Sequence, residues 1–218
     1  MSFWKKVFGA KGSVSPSVYV SSRELSSVYQ AVQNGNLETI KALLSAKPLL
    51  VRGKDDNGIT LLHTAASEGQ KELTEFLIAN QADINAKTNP GNWTPLHWAA
   101  GNGHIEAVKV LVASKANINA KNSFGSTPLH RAVGAGHREV AEILIAAKAN
   151  VNARDGSDGW TPLHHAVVKC RRDLVELLLK NGADVNVKAN DGWTALRWAA
   201  EKNNDDIPKL LRERGGHE

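Results

Sequence analysis

An all-α solenoid is the fold this sequence predicts, and three observations carry that prediction. A tetrapeptide, Thr94-Pro95-Leu96-His97, returns as Thr127-Pro128-Leu129-His130 and Thr161-Pro162-Leu163-His164, with weaker copies at Thr60-Leu61-Leu62-His63 and Thr194-Ala195-Leu196-Arg197. The threonines stand 34, 33, 34 and 33 residues apart. Between them apolar residues recur at helical spacing. Self-similarity at such a period marks a supersecondary unit that cannot bury its apolar face alone and must stack on its neighbours.

The elements follow in order. Upstream of the first threonine, Ala31, Gly35, Leu37, Ile40, Leu43 and Leu44 hold the places that Ala65, Gly69, Lys71, Thr74, Leu77 and Ile78 hold one unit later. Residues 24–53 therefore read as a degenerate first unit and N-terminal cap. In the unit spanning 87–120, Thr94 suits a helix N-cap and Pro95 the first helical position, where no N–H is needed. Leu96, Ala99 and Ala100 form the buried side of that short helix, the alanines being small enough for close helix approach. Gly103-His104 turns the chain into a second helix, in which Ala107, Val108, Leu111 and Val112 form the core face. A short extended piece then ends at Asn119, as at Asn85, Asn152 and Asn186, and a glycine-containing turn leads to the next threonine. The asparagine-to-threonine distance is 9 residues before Thr94 and Thr161 but 8 before Thr127 and Thr194, so the turns within 88–93 and 155–160 carry one extra residue. Gly182 follows its second helix, where a left-handed backbone is usual; Gln81, Lys115 and Lys148 stand at the equivalent places. In the closing unit, Asn203, Asp205 and Arg212 replace apolar or glycine positions, and Pro208 is expected to delay the second helix. The units are 24–53, 54–86, 87–120, 121–153, 154–187 and 188–218.

This period and the Thr-Pro-Leu-His-x-Ala core resemble the ankyrin repeat. The resemblance covers residues 24–218 and implies that each glycine-containing turn is a short β-hairpin finger. It also implies that a partner lies on the concave side, against the finger tips and the outer face of the first helices. Carried over by position, that surface contains Trp93, Trp98, Phe124, Arg131, Asp158, Trp160, His165, Asp191, Trp193, Trp198 and Glu201, with Asn102, Lys169 and Lys202 at the ends of the first helices. Five of the six tryptophans fall within it. Tryptophan and arginine dominate binding hot spots because they bury much area for little lost rotamer freedom. Fingers about 10 Å apart make a face roughly 40 Å long and about 800 Å² in area, an ordinary footprint for one protein partner.

Composition narrows the function classes. The single cysteine, Cys170, excludes an internal disulfide and fits a reducing, cytoplasmic setting. It stands where other units have glycine and reads as a small buried residue filling a turn. The net charge of +5 is unevenly spread: Lys5, Lys6, Lys11 and Arg23 precede every acidic residue, so the first 23 residues carry +4 and the repeats +1. A nearly neutral solenoid lacks the clustered cations that phosphate neutralisation requires, which argues against nucleic acid. Residues 1–23 read as a flexible basic and aromatic tail with a linker. Phe3, Trp4, Val7 and Phe8 would share one side of a helix, with Lys5 and Lys6 elsewhere, the pattern of a weak membrane-surface contact but too short for a span.

The histidines do not read as chemistry. His63, His97, His130 and His164 recur one repeat apart, where each can bond the threonine and turn of its own unit; metal ligands must instead converge within a few ångströms. His104 and His137 sit at inter-helix turns. No phosphate loop, nucleophile elbow or carboxylate pair occurs, and Asp55-Asp56 reads as a solvated face. Neither catalysis, cofactor nor metal is expected, and the chain is expected to be a monomer. Three functions fit: a protein-interaction module, a membrane adaptor held by the N-terminal segment, and a reader of a cationic or methylated lysine through Trp160, Trp193 and Trp198.

Overall fold

The computed structural model describes residues 22–201 and 206–217. Helices come in antiparallel pairs. The first pair is α1 (Ser22–Gln33) with α2 (Leu37–Ala46), followed by a 3₁₀ turn at Pro48–Arg52. Four further pairs carry the repeat: α3 (Leu61–Ser67) with α4 (Lys71–Ala79), α5 (Pro95–Asn102) with α6 (Ile105–Ala113), α7 (Pro128–Ala135) with α8 (Arg138–Ala146), and α9 (Pro162–Val168) with α10 (Arg172–Lys180). The last pair is α11 (Ala195–Ala200) with α12 (Asp206–Glu213).

No helix here is long enough to stand alone, so packing decides the fold. The first helices α1, α3, α5, α7, α9 and α11 form one row, each against its neighbours, and α4, α6, α8, α10 and α12 form the row behind. Leu62, Leu96, Leu129, Leu163 and Leu196 are buried in the front row beside the buried alanines 65, 66, 99, 100, 132, 166 and 199. Ala107, Val108 and Leu111 are fully buried, as the spacing predicts, and Val112 is partly so.

The recurring asparagines are inter-unit ties. The Oδ1 atoms of Asn85, Asn119, Asn152 and Asn186 accept the backbone N–H of Asn117, Asn150, Asp184 and His217 at 2.8, 2.8, 2.8 and 3.0 Å. The Nδ2 groups of Asn119, Asn152 and Asn186 donate to the carbonyls of Lys148, Gly182 and Gly215. Those carbonyls belong to left-handed residues at the ends of the second helices. Gln81, Lys115 and Lys148 have φ of 67°, 65° and 69°, the conformation that Gly182 adopts at equivalent register.

The fingers depart from the hairpins that the resemblance implies. Each is a tight turn closed by a backbone bond that Asp55, Thr88, Asn122, Asp155 and Ala189 donate to the carbonyls of Ile59, Trp93, Ser126, Trp160 and Trp193, and in four of them Gly58, Asn92, Gly125 and Gly192 donate back to the carbonyls of Asp55, Thr88, Asn122 and Ala189. Two of the closing bonds span five residues rather than four, and they are the two turns with the extra residue. Strands do not develop. Among the described residues the extended pairing is one isolated antiparallel bridge, Lys54 with Thr60, because the arms end at the helix cap before a ladder can propagate. The fingers instead bond sideways: Asn89, Ser123, Gly156 and Asn190 donate backbone N–H to the carbonyls of Asn57, Gly91, Phe124 and Asp158 at 2.6, 2.9, 2.8 and 2.8 Å.

Pro208 lies in the first turn of α12, where a proline lacks only an N–H that has no intrahelical partner, and α12 begins 12 residues after Thr194, against 11 after the threonine in the four preceding units. Two local expectations are corrected. Cys170 is exposed rather than buried, with the left-handed φ of 52° that glycine adopts elsewhere. Asp55 is half-buried rather than solvated; its Oδ1 accepts the N–H groups of Asn57 and Ile59 at 2.9 and 2.8 Å, and burial raises its pKa. The aromatic tail expected at Phe3, Trp4, Lys5, Lys6, Val7 and Phe8 lies outside the described residues, as do Lys202, Asn203 and Asp205.

Candidate functional site

The site begins with how fingers are held to helices. In each threonine-histidine pair, Nδ1 of His63, His97, His130 and His164 accepts the backbone N–H of Thr60, Thr94, Thr127 and Thr161 at 3.1 to 3.2 Å. An accepting Nδ1 places the ring proton on Nε2. That proton is directed away from the histidine's own unit: Nε2 of His63, His97 and His130 meets the carbonyls of Trp93, Ser126 and Trp160 at 2.9, 3.0 and 3.1 Å. The second bond therefore goes to the following unit's finger, not to the turn of the same unit. His164 faces the Trp193 carbonyl without reaching hydrogen-bond geometry. Burial holds His63, His97 and His130 neutral, with pKa values lowered to about 4. His104 and His137 tie units in the other direction, through Ser67 O at 2.7 Å and Gly101 O at 3.2 Å.

With fingers and first helices fixed, a groove of about 890 Å³ opens between them, centred on α5. Trp93, from the finger, and Trp98, from the helix, supply its aromatic surface; Ile59 and Pro90 add apolar wall, and Asn57, Glu68 and Asn102 add polar groups. Phe124, exposed at the next finger tip, lies 6.1 Å from the Trp93 ring. Arg131 enters from α7, its guanidinium carbon 5.0 Å from the Trp93 ring centroid. Ser67, Thr88 and Gly101 also line the groove. Sequence reasoning missed these three and Pro90, because it carried positions over from the repeat pattern and none of the four stands at one of those positions.

A second aromatic cluster lies toward the C-terminal end. Trp160 packs edge-on against His165 at 5.3 Å and Trp198 at 5.4 Å, and Trp198 packs on Trp193 at 4.7 Å. Arg197 of the same chain covers Trp193 at 4.5 Å. His165 Nε2 meets Asp155 Oδ2 at 3.2 Å, a partner the sequence did not suggest. The expected residues thus fall into two groups, Trp93, Trp98, Phe124 and Arg131 around the groove, and Trp160, His165, Trp193 and Trp198 in the cluster. Asp158 and Asp191 are exposed at finger tips, where Asp191 accepts its own finger's Trp193 N–H at 2.8 Å. Glu201 is exposed at the end of α11. Among the described residues no three His, Cys, Asp or Glu side chains could hold a metal, and no helix is long and apolar enough to cross a membrane.

A family model described as ankyrin repeats, in three copies, matches residues 28–122, 114–189 and 157–218. The chain belongs to the ankyrin-repeat family. Ankyrin repeats are in general protein-interaction modules. Among curated relatives, a 62-residue stretch is 37% identical to Palmitoyltransferase akr1 of Schizosaccharomyces pombe, covering 28% of this chain and 10% of that protein. A 68-residue stretch is 35% identical to mouse Protein phosphatase 1 regulatory subunit 27, covering 31% and 44%. Human Ankyrin repeat domain-containing protein 49 is 38% identical over 58 residues, covering 27% and 24%. Each match spans less than half of the relative's own length.

Proposed function

We propose that this ankyrin-repeat chain is a non-catalytic interaction module that holds a partner protein or peptide against its fingers and first helices. The observation that carries the reading is the groove over α5, which two half-buried tryptophans from different elements both line. Half-buried tryptophan on a rigid support is what a hot spot needs: large apolar area, already ordered, still open to a partner. The C-terminal cluster is filled by its own rings and by Arg197, which favours the groove over a lysine-reading cage.

Site-directed photo-crosslinking tests the assignment. A benzophenone side chain at Phe124, beside the groove, is expected to capture partner protein from a lysate. The same group at the exposed Leu49, on the 3₁₀ turn, is expected to capture none of it. Capture of the same partner at Leu49 and not at Phe124 would remove the assignment.

A further inference from the structure

The groove also carries an unspent cation. Arg131 reaches from α7 across α5, where a Cβ on Gly101 would stand 3.3 Å from its Nε and 3.4 Å from its Nη2. The gap that glycine leaves lets the guanidinium reach over the Trp93 ring, its carbon 5.0 Å from the ring centroid. That cation–π contact engages none of its five N–H donors. Among the described residues it forms no hydrogen bond and no ion pair, whereas Arg138 and Arg172 are paired with Glu142 and Glu176.

Local charge reinforces this. Between Asp83 and Glu139 the sequence has one acidic residue, Glu106, which is tied to Lys109 on α6 at 2.8 Å. Lys87 lies on the arm of the finger, and its charge and that of Arg131 both act on His97 in the groove. The groove's own acid, Glu68, stands two first helices away from Arg131, at the end of α3. The repeats are nearly neutral as a whole, yet Lys87 and Arg131 bring two cations to this end of the groove, and Asp155 of the neighbouring finger is engaged by His165 and by the N–H groups of Asp158 and Trp160.

We infer that the groove takes an extended peptide that sets an apolar side chain on Trp93 and Trp98 and an Asp or Glu carboxylate on Arg131. This rests on the interaction-module reading and adds the chemistry of the partner. A guanidinium already held between Gly101 and the Trp93 ring loses little further freedom on pairing, and its fork matches a carboxylate in two parallel bonds.

Peptides selected from a random display library on the full chain, then synthesised and titrated by fluorescence anisotropy, provide the test. The selected sequences are expected to place Asp or Glu within a few residues of an aromatic, leucine or proline. Arg131→Gln is expected to weaken them about ten-fold or more, the range of a charge-assisted hydrogen-bonded pair. Lys109→Gln, on the opposite row of helices, is expected to leave affinity unchanged. Unaltered circular dichroism and unfolding midpoint of Arg131→Gln exclude misfolding. If selected peptides lack acids and tolerate Arg131→Gln but lose affinity in Trp98→Ala, the carboxylate is overturned while the groove stands. If neither substitution matters, or nothing is selected, the binding face falls with it.

Discussion

His97 Nε2 lies 3.0 Å from the carbonyl oxygen of Ser126, so the ring that caps one unit's first helix also holds the next unit's finger. With Nδ1 bound to Thr94, the imidazole is fully used as a neutral bridge. The same bridge recurs at His63 and His130, and the finger row owes its register to it.

These bridges make stability depend on pH. Burial lowers the three pKa values from 6.5 to about 4, so between those limits the unfolded chain binds protons that the folded chain excludes. Stability is therefore full above pH 6.5, falls as pH drops and levels off below 4. At pH 5 the loss is about 2 kcal/mol per histidine. Urea midpoints at pH 7.5 and 5 measure it; equal midpoints would mean that the rings protonate in place.

The fourth histidine provides a comparison within one molecule. His97→Ala removes a helix cap and strands the Ser126 carbonyl, for an expected cost of about 2–4 kcal/mol. His164 lacks the second bond. His164→Ala is expected to cost roughly half as much, and equal losses in urea unfolding would show that the inter-unit bond contributes nothing.

Left-handed residues other than glycine are sites of removable strain. Glycine at Gln81, Lys115, Lys148 and Cys170 is expected to raise stability by up to about 1 kcal/mol each, less the entropy gained by the unfolded chain. The reverse change at Gly103 should be severe, since its φ is 77° and a Cβ would stand 2.6 Å from the His137 ring. Thermal midpoints of the glycine set and of Gly103→Ala should therefore move in opposite directions.

Trp198 is packed by Trp160 and Trp193, yet its buried Nε1 has no hydrogen-bond partner among the described residues. Trp198→Phe removes an unsatisfied donor along with part of the ring and is expected to cost about 1 kcal/mol or less. Trp198→Ala empties the site for about 3 kcal/mol. A Phe variant as unstable as the Ala variant would mean that the indole N–H has a partner after all.

The repeat, the helix pairs and the two long fingers are legible in the amino-acid order, because these rest on local chemistry: a threonine cap, a proline at the first helical position, apolar residues at helical spacing, one added residue in a turn. The resemblance to the ankyrin repeat, carried over by position, put Trp93, Trp98 and Arg131 on one face. What the sequence could not specify is whatever depends on the neighbouring unit. The outward bond of His97, the ladder between finger tips, the burial of Asp55 and the passage of Arg131 across Gly101 join residues about 30 or more positions apart or depend on the stacking that brings them together. Nor could it separate the aromatic stripe into an open groove over α5 and a cluster closed by Arg197. Equivalent positions in a repeat look alike in sequence, and only the side chains packed against each one decide whether its ring is covered or left for a partner.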